Sequence, residues 1–325
     1  MKSLKAVSLF SGCGGFDLGV SRAGVDIIWA NDIDASAASA YKSLFPKTEF
    51  INKSIKKVTD FPEADVLIGC YPCTGFSSAA RRKWKERTER DLFSNDKNFL
   101  FEEFLRAIDI VKPKLIFIEN VRGMISAEQG FFMEQQIAGF KSRGFHSIKP
   151  MILNSADYGV PQTRQRIFLV GFHEELGDIV FDKPYPTNGP KCENPFKTLL
   201  SAIGGMPEWP TGDFFEGSFH GHFLTRNRKR RWDEPSFTIV AHGHHVPLHP
   251  MGEPMIFVSK DKWALQGEKN RRLSWRECAR IQGLPDHIEV DGPLLDKYRV
   301  VGNSVPPDLA YNICKRSLEL VSHLF

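Results

Sequence analysis

Short apolar segments alternate with longer amphipathic segments over the first 175 residues of the chain. The apolar segments are rich in β-branched and aromatic side chains, which is typical of strands buried on both faces of a parallel sheet. They are KAVSLF (5–10), DIIWAN (26–31), DVLIGC (65–70), KLIFIEN (114–120) and QRIFLVGF (165–172). The amphipathic segments predict helices over 34–44, 99–111, 131–142, 274–282 and 307–320. The alternation predicts an α/β fold with a doubly wound, mostly parallel sheet.

The pattern changes in the second half of the chain. The 71 residues from 184 to 254 contain 10 of the 20 prolines and 8 of the 26 glycines, and they have no long helical period. We therefore predict two domains. Residues 1–180 and 300–325 form the larger one, to which the last helix returns, and residues 181–299 form a smaller, irregular, β-rich domain with a hinge.

The composition is that of an ordinary globular protein. Of 325 residues, 42% are hydrophobic and 25% charged, and 43 basic against 39 acidic side chains give a formal net charge of +4. These values exclude a disordered chain, a collagen and a small disulfide scaffold. A run of about 18 apolar residues and a signal peptide are both absent from the sequence, so we expect a soluble, cytoplasmic protein with six free cysteines.

The positive charge is concentrated in two places. Residues 81–90 contain six basic and two acidic side chains, and RNRKRR occupies residues 226–231. A charged run is often only a solvated surface, and charge alone does not separate this interpretation from contact with a polyanion such as DNA. The sequence motifs that border each run are needed to distinguish a solvated surface from a contact with DNA.

A glycine-rich segment, FSGCGGFDLG (10–19), follows the first predicted strand and opens the first helix. Glycine lets the backbone turn sharply and approach a ligand, because it has no Cβ to clash. The segment lacks the Gly-Lys-Ser/Thr ending of a phosphate loop, and Asp17 stands where the dinucleotide motif has its third glycine. Asp32, at the end of the second strand, is placed to accept hydrogen bonds from a ribose. The pattern suits a nucleoside without a pyrophosphate, such as S-adenosylmethionine, and it equally suits a structural turn.

Candidate catalytic side chains follow at successive strand ends. Cys73 lies in GCYPCTGFSS after the third predicted strand, and the proline directly before it suits a rigid, aimed nucleophile. Cys70 and Cys73 would also suit a redox pair or half of a zinc site, although no second Cys-x-x-Cys follows. Glu119 closes the next strand, and Arg164 and Arg166 begin the last one. One such residue is ordinarily structural, but a set at successive strand ends indicates an active site.

Together these segments resemble the DNA (cytosine-5) methyltransferase family of the bacterial and phage restriction-modification type. FSGCGG, GCYPCTGFS, ENVRG, QTRQRIF, RECARIQGLPD and VGNSVPPDLA occur in the family's order and with its approximate spacing, over nearly the whole chain. The variable stretch between QTRQRIF and RECARIQ falls where the family has its target-recognition domain. The resemblance implies the seven-stranded sheet of S-adenosylmethionine-dependent methyltransferases, and double-stranded DNA as the partner.

The resemblance also implies a covalent mechanism. Cys73 would add to C6 of cytosine, which makes C5 nucleophilic enough to take the methyl group. Glu119 would hold N3 and the exocyclic amine, and Arg166 would contact O2. Arg164 would order the site around the thiol and favour the thiolate. The base would have to be flipped out of the duplex to reach these groups.

For S-adenosylmethionine the resemblance implies a binding site assembled from several segments. Its residues would be Phe10, Gly12, Cys13, Gly15, Asp32, Ile33, Ser54, Ile55, Pro72, Leu100, Asn303, Ser304 and Val305. Ser54 stands where the family often has an aspartate for the adenine amine, and Thr74 stands where an amide is more frequent. These departures concern the adenine contact and the filling of the vacated position in the duplex, and not the methyl transfer itself.

The resemblance changes the interpretation of the two basic segments. The first falls in the family's mobile catalytic loop, so DNA phosphates are the predicted partners of Arg81, Arg82, Lys83 and Lys85. The second falls in the variable region, so base reading in the major groove is predicted for Arg228, Arg230 and Arg231. The histidines at positions 242, 244, 245 and 249 would suit zinc, DNA contact or loop packing, but the chemistry needs no metal.

We expect a monomer that acts at the bacterial nucleoid without membrane contact, and a cognate restriction endonuclease for the same site is compatible with this assignment. Two alternatives stay open. An RNA (cytosine-5) methyltransferase of the transfer-RNA type shares these motifs, although the long variable region argues for DNA. A non-catalytic DNA-binding regulator is the other, although the complete catalytic set argues against it. Methylation of an exocyclic amine is disfavoured, because those enzymes have Pro-Pro-aromatic where this chain has Pro72 and Cys73.

Overall fold

The computed structural model describes residues 3–72, 92–321 and 323–324. The described strands are β1 (Lys5–Leu9), β2 (Asp26–Asn31), β3 (Glu49–Ile51), β4 (Val66–Gly69), β5 (Leu115–Val121), β6 (Met151–Asn154), β7 (Gln165–Phe172), β8 (Ile256–Ser259) and β9 (Lys262–Ala264). The described α-helices are α1 (Gly15–Arg22), α2 (Ala35–Leu44), α3 (Phe101–Val111), α4 (Phe131–Lys141), α5 (Leu199–Ile203), α6 (Trp275–Gln282), α7 (Leu294–Asn303) and α8 (Pro307–Val321). Within these ranges, no helix has the length and apolar character needed to cross a bilayer.

Strands β1 to β7 form one mixed sheet in the order β3-β2-β1-β4-β5-β7-β6. The strands from β3 to β5 in this order pair in parallel, whereas β7 runs antiparallel to both β5 and β6. The seven-stranded α/β sheet is confirmed, but the prediction of a parallel strand over 165–172 is wrong. A strand buried on both faces has the same apolar pattern in either direction, so direction was not readable from the sequence. The short strands β3 and β6 were also missed.

Helices cover both faces of this sheet. Phe16 of α1 and Leu309 of α8 belong to the core on one face, and Phe104 of α3 belongs to the core on the other. Ala6 and Val7 of β1 contribute to opposite cores, as the alternation of side chains along a strand requires. The carboxyl ends of the parallel strands β1, β2, β4 and β5 lie at the same edge of the sheet, and this edge carries the candidate site.

The last helix packs directly against the first. At Gly19 of α1 an added Cβ would lie 2.4 Å from the carbonyl oxygen of Pro307 and 2.6 Å from the Cβ of Ala310. Contact this close requires glycine, because any side chain would push the two helices apart. The expected return of the last helix to the N-terminal sheet is therefore present. The division into domains at 1–180, 181–299 and 300–325 stays a prediction.

Helix α6 begins at a buried capping box. The hydroxyl of Ser274 accepts from the amide of Glu277 at 3.1 Å, and the Glu277 carboxylate accepts from the amide of Ser274 at 2.7 Å. The same carboxylate accepts from both terminal nitrogens of Arg271, at 2.8 and 2.7 Å. Trp275, which follows the cap, joins a third core that also contains Ala37 of α2 and links the C-terminal helices to the sheet.

The expectation of a β-rich segment over 181–299 is wrong. All of these residues are described, and their only regular strands are β8 and β9, which form a two-stranded antiparallel sheet. Elsewhere in the segment the backbone makes isolated bridges, such as that between Lys229 and Leu248. Proline has no amide hydrogen for a ladder and glycine weakens a strand, so the composition of this segment favours turns over strands.

Candidate active site

The glycine segment between β1 and α1 forms a tight turn at the carboxyl edge of the sheet. Phe10, Gly12 and Gly14 have positive φ angles of 54°, 56° and 83°. The amide of Gly12 donates to Oδ2 of Asp32 at 2.9 Å, and the amide of Asp34 donates to Oδ1 of the same side chain at 2.9 Å. Asp32 thereby fastens the turn to the end of β2. Each of its oxygens keeps further lone pairs for a ligand, and burial raises the pKa of its carboxyl.

The other end of the glycine segment touches the chain between α7 and α8. At Gly15 an added Cβ would lie 2.1 Å from Oγ of Ser304 and 2.3 Å from the carbonyl oxygen of Val305. Next to it, burial raises the pKa of the Cys13 thiol to about 11, against the opposing effect of a hydrogen bond with Ser304. Cys13 is therefore uncharged at neutral pH. The structure therefore brings together four predicted cofactor residues: Cys13, Gly15, Ser304 and Val305. Asn303, which directly precedes Ser304, is the exposed last residue of α7.

A large apolar side chain stands exposed at the end of β2. Ile33 is 70% exposed, directly after Asp32. The side-chain amide of Asn31 donates to the carbonyls of Ile51 at 2.7 Å and Lys53 at 2.9 Å, which holds the neighbouring segment in place. That segment continues with the other predicted contacts, the half-buried Ser54 and the buried Ile55. An apolar surface beside a carboxylate fits the flat base and the ribose of a nucleoside. Leu100 and Pro72 are half-buried.

Glu119 and Arg166 form an ion pair on adjacent strands, with 3.2 Å between Oε1 and Nε. In the antiparallel pair of β5 and β7, Glu119 lies opposite Phe168 and Arg166 lies opposite Val121, so the two charged side chains are diagonal neighbours on one face. Glu119 is 9% exposed. Burial raises the pKa of its carboxyl, and the positive charges of Arg166 and Arg164 oppose that rise. A carboxyl with a raised pKa suits the sharing of a proton with a substrate nitrogen.

Arg164 is more deeply buried than this ion pair. Its side chain is 2% exposed, and its NH1 donates to the carbonyls of Ile239 at 2.9 Å and Gly302 at 3.1 Å. NH2 donates to Gly302 at 3.1 Å, while Nε has no hydrogen-bond partner among the described residues. Burial lowers its pKa well below the usual value. Arg164 thus connects the start of β7 to two distant segments, and its predicted effect on the thiol stays a prediction.

Two buried glutamines that were not predicted as site residues extend this connection. Nε2 of Gln162 donates to Oε1 of Gln282 at 2.7 Å, and Oε1 of Gln162 accepts from the amide of Ile239 at 2.8 Å. Nε2 of Gln282 donates to the carbonyls of Val301 at 2.9 Å and Ser304 at 3.3 Å. A continuous set of hydrogen bonds therefore joins the segment before β7 to the predicted cofactor segment. The only sequence signal for this pair was that both glutamines lie within the motifs QTRQRIF and RECARIQ.

A buried carboxyl beneath the glycine turn was also missed as a site residue. Asp17 accepts from Oγ of Ser8 at 2.8 Å and from the hydroxyl of Tyr41 at 2.7 Å, and it is fully buried. Burial raises its pKa to about 6, although both hydrogen bonds act in the opposite direction. These bonds connect α1 to β1 and α2. The aspartate at the third-glycine position was visible in the sequence, but its partners lie on other elements.

The candidate nucleophile Cys73 and its neighbour Thr74 lie outside the described residues. The described chain before them is held at Tyr71, whose carbonyl accepts from the side-chain amide of Asn120 at 3.3 Å and whose hydroxyl donates to Gln136. Asn120 directly follows Glu119, so the ENVRG motif contacts the chain two residues before the predicted thiol. Desolvation raises the pKa of the Cys70 thiol well above its usual value, which does not suit a redox thiolate.

The two basic segments differ in what the structure describes. The predicted phosphate contacts Arg81, Arg82, Lys83 and Lys85 lie outside the described residues. In the second segment Arg228 is buried, and it donates to the carbonyls of Phe223 at 3.1 Å and His245 at 3.2 Å. Arg230 pairs with Glu234 at 3.1 Å, and Arg231 pairs with Asp233 at 3.0 Å. Base reading by these arginines stays a prediction, and each of them already has a protein partner.

The histidine-rich region is described in full. Among the described residues, no group of three or more His, Cys, Asp or Glu side chains is arranged to hold a metal ion. His249 is buried, its Nδ1 accepts from the amide of Met251 at 3.2 Å, and burial lowers its pKa to about 4. For His249 the loop-packing interpretation therefore holds. The remaining histidines are at the surface or close to it.

The structure combines a mixed seven-stranded sheet, in which β7 is reversed next to β5, with helices on both faces. Residues 4–319 match the family model of the C-5 cytosine-specific DNA methylases, so the chain belongs to that family and is a DNA (cytosine-5) methyltransferase by class. The chain is similar to the type II methyltransferase M.BsuRI of Bacillus subtilis, at 36% identity over 94% of this chain and 77% of the relative. It is similar to M.FnuDI of Fusobacterium nucleatum, at 35% identity over 98% of this chain and 95% of the relative.

A solved structure agrees on the fold. A protein encoded within an Escherichia coli prophage, assigned as a DNA modification methyltransferase, superposes with a TM-score of 0.72. The sequences are 21% identical, and the match covers 98% of this chain and 100% of that chain. The similarity supports the arrangement of the sheet and helices formed by the described residues.

Proposed function

We propose that the enzyme transfers the methyl group of S-adenosylmethionine to C5 of a cytosine that is flipped out of a specific site in duplex DNA, through a covalent adduct between Cys73 and C6. The observation that carries this proposal is the buried ion pair of Glu119 and Arg166, at 3.2 Å, on the strand ends beside the chain that leads to Cys73. In such a pair the carboxyl group can bind a ring nitrogen and the neighbouring exocyclic amine of a base, and the guanidinium can donate to a carbonyl oxygen of the same base. Cytosine has both on one edge.

The glycine turn and its neighbours support S-adenosylmethionine as the methyl donor. Asp32 would accept from the ribose hydroxyls, and the exposed Ile33 would cover one face of the adenine. Ser304 and Asn303 would hold the methionine part of the molecule. The cofactor supplies an electrophilic methyl group on a sulfonium. Ser54 is half-buried and offers a hydroxyl for the adenine amine, which is a weaker acceptor than a carboxylate.

The acid and base chemistry falls to Glu119. The Cys73 thiolate forms a bond to C6, and the electrons of the C5–C6 double bond become available at C5. Glu119 shares a proton with N3, which stabilises the charge that this addition creates. Arg166 donates to O2 and holds the Glu119 carboxyl in place. As C5 takes the methyl group, the bond from that carbon to the sulfonium would break, and the neutral thioether S-adenosylhomocysteine would be the leaving group. A base then takes the C5 proton, the C5–C6 double bond forms again, and the C6–S bond breaks to release the Cys73 thiolate.

The proposed interaction with DNA follows from the position of cytosine inside the duplex. Cytosine cannot reach buried groups at a sheet edge while it is stacked, so the base has to leave the helix. We assign the basic residues 81–90 to phosphate contact and residues 181–299 to recognition of the site, with residues 1–180 and 300–325 as the catalytic domain. The enzyme would act as a monomer on cytoplasmic DNA at the nucleoid, with or without a cognate endonuclease.

A trapping experiment tests the chemistry. Duplex DNA that contains 5-fluorocytosine should form a covalent complex with the wild-type enzyme that resists denaturing electrophoresis, because fluorine cannot leave C5 as a proton does. Cys73→Ser should form no complex and transfer no methyl group. Cys70→Ser is the matched control and should trap normally. Normal methyl transfer by Cys73→Ser would contradict the covalent mechanism.

A substrate comparison tests the choice of nucleic acid. Tritiated methyl groups should be incorporated into duplex DNA and not into transfer RNA. Preferential incorporation into transfer RNA would favour the RNA alternative, and tight DNA binding without incorporation would favour a regulator. Bisulfite sequencing of the methylated DNA then gives the recognition site and the modified cytosine.

A further inference from the structure

An ion pair joins the start of helix α2 to helix α7, although the two residues are far apart in the sequence. Nε of Arg299 donates to Oδ2 of Asp34 at 2.9 Å, and NH2 donates to Oδ1 at 3.0 Å. The remaining terminal nitrogen, NH1, donates to Asp296 on α7. Every nitrogen of the guanidinium therefore has a carboxylate partner. Two parallel bonds between one guanidinium and one carboxylate fix the relative orientation of the two groups as well as their distance.

Asp34 is also fixed by the helix that it caps. Its Oδ1 accepts from the amides of Ser36 at 3.0 Å and Ala37 at 3.3 Å, which are free donors in the first turn of α2. The amide of Asp34 donates to the side chain of Asp32 at 2.9 Å. The carboxylate that binds Arg299 is therefore attached to the end of β2, where the predicted ribose acceptor lies.

Arg299 belongs to the helix that leads to the other half of the candidate cofactor site. It precedes Asn303 by four residues on α7, and residues with this spacing share one face of a helix. Asn303 and Ser304 are the predicted contacts of the methionine part. Gln282 holds this end of the helix through the carbonyls of Val301 and Ser304, at 2.9 and 3.3 Å. The ion pair thus connects the helix with the methionine contacts to the strand end with the adenosine contacts.

Other hydrogen bonds join α2 to the segment before α7, farther from the cap. The amide of Asp291 donates to Oγ of Ser39 at 2.9 Å, and the amide of Glu289 donates to Oγ of Ser43 at 3.1 Å. These bonds hold the segment that enters α7 along the later turns of α2. At the first turn of α2, beside the cofactor residues, the ion pair makes the connection to α7 itself.

The ion pair is too exposed to contribute much to the stability of the fold. The side chains of Arg299 and Asp34 are 39% and 27% exposed, and water screens charges in such positions. A ligand that bridges the two segments is more sensitive to the pair than the fold is, because a small displacement of either segment costs the ligand the contacts at one of its ends.

We propose that Arg299 and Asp34 are positioning residues for S-adenosylmethionine, and that their ion pair sets the separation between the adenosine contacts at β2 and the methionine contacts at the end of α7. The proposal rests on the cofactor site of the proposed function. With the pair in place, a ligand that fills one half finds the other half already positioned. Without the pair, the ligand must also order the two segments, which lowers its affinity. A ligand that occupies only the adenosine half does not depend on the pair.

The test compares a whole ligand with a partial one. S-adenosylhomocysteine occupies both halves of the site, whereas 5′-methylthioadenosine lacks the amino acid and occupies only the adenosine half. Calorimetry gives the affinity of the wild type, Arg299→Gln and the control Arg280→Gln for the first ligand directly and for the second by displacement. Arg280 on α6 makes the same two-bond contact, with Asp286, and its side chain is similarly exposed at 37%.

Arg299→Gln should bind S-adenosylhomocysteine about tenfold more weakly than the wild type, and its affinity for 5′-methylthioadenosine should stay within about threefold. The control should bind both ligands as the wild type does. In steady-state assays the KM for S-adenosylmethionine should rise by about tenfold, whereas the KM for duplex DNA and kcat at saturating cofactor should stay within about threefold. A general loss of structure would change all of these quantities together.

The partner variant Asp34→Asn keeps an N-cap for α2 but removes the charge. It should reproduce the effect of Arg299→Gln, and the double variant should bind S-adenosylhomocysteine within about twofold of either single variant. Additive effects, equal weakening of both ligands, or wild-type affinity in Arg299→Gln would overturn the proposal. If Arg299→Gln does not fold, the same comparison of ligands with Asp34→Asn decides. A wild type that binds neither ligand would instead overturn the proposed function, so the two failures are distinguishable.

Discussion

Oε1 of Glu119 on β5 lies 3.2 Å from Nε of Arg166 on the antiparallel neighbour β7. In that register the two residues are diagonal neighbours on one face. The cation holds the carboxyl in place and partly offsets the effect of burial on its pKa. The pair therefore sets both the geometry and the proton affinity of the candidate site.

Removing either partner should separate these two effects. We expect Glu119→Gln to lower kcat by about 100- to 10,000-fold, because an amide cannot share a proton with N3. Arg166→Gln should also lower kcat and should move the alkaline limb of its pH profile to higher pH. The sign follows because the Arg166 charge lowers the pKa of Glu119, so its loss leaves the carboxyl protonated to a higher pH. Glu174→Gln, on an exposed turn, is the control for both, and a limb that moves to lower pH would contradict this assignment.

Ile33 should contribute to cofactor binding and little to stability. Because its side chain is 70% exposed, Ile33→Ala should change the free energy of unfolding by less than about 0.5 kcal/mol. The loss of an apolar contact with adenine should weaken binding of S-adenosylhomocysteine by about tenfold, as measured by calorimetry. Leu200→Ala, at 60% exposed on α5, is the matched control. Equal binding by the two variants would remove Ile33 from the site.

Gly15 should not tolerate a methyl group. The added carbon of Gly15→Ala would lie 2.3 Å from the carbonyl oxygen of Val305, so either the glycine turn or the chain after α7 has to move. Thermal unfolding should show a loss of stability, and affinity for S-adenosylhomocysteine should fall by more than that of Ile33→Ala. Gly205→Ala, where the added carbon has nothing within 4 Å, is the control and should behave as the wild type. A fully stable Gly15→Ala with normal affinity would mean that the contact with Val305 is absent in solution.

Gln162→Leu should expose the role of the buried glutamine pair in stability. The substitution leaves the amide of Ile239 without its acceptor and Oε1 of Gln282 without its donor. A buried unpaired group costs about 1–3 kcal/mol, so urea unfolding should show a loss of that order. Gln135→Leu, at an exposed position of α4, should change stability by less than about 0.5 kcal/mol. The double variant with Gln282→Leu should be less destabilised than the sum of the single variants, and strict additivity would contradict the direct contact.

Asp17 should make stability depend on pH. Its folded pKa of about 6 lies above the ordinary value of 3.8, so the folded state holds this proton more tightly than the unfolded state. The stability it contributes is fully present below about pH 4 and is lost as the pH rises to about 6, with an upper limit near 3 kcal/mol. Asp17→Asn removes this dependence, so the difference in stability between variant and wild type should grow in favour of the variant over that interval. A constant difference would show that Asp17 does not titrate there.

Much of the fold followed from local pattern. All ten predicted strand and helix segments are present with bounds within two residues, because apolar periodicity and capping residues such as Ser274 act over a single element. The direction of a strand, in contrast, could not be predicted from local sequence pattern. The reversal of β7 depends on the path of the chain between Asn154 and Gln165. That segment has no apolar periodicity from which its path could be predicted.

The candidate site was predicted in part for the same reason. Motif residues at the carboxyl ends of parallel strands converge in any doubly wound sheet, so Asp32 and Glu119 could be predicted as site residues from the sequence. The hydrogen bonds of Arg164 to Ile239 and Gly302 could not be selected, because the partners are separated by long stretches of chain. The contribution of Cys73 rests on the sequence alone.

The sequence by itself determined the α/β class, the family and the residue types that carry the chemistry, since these depend on periodicity and on short motifs. Only the tertiary structure decided which charges are available. Arg228 and Arg231 are the same residue type in one basic run. The guanidinium of Arg228 is buried and donates to protein carbonyls, whereas Arg231 is exposed and pairs with Asp233. The physical reason is that a formal charge is a property of a residue, whereas its desolvation and its partner depend on residues that folding brings together.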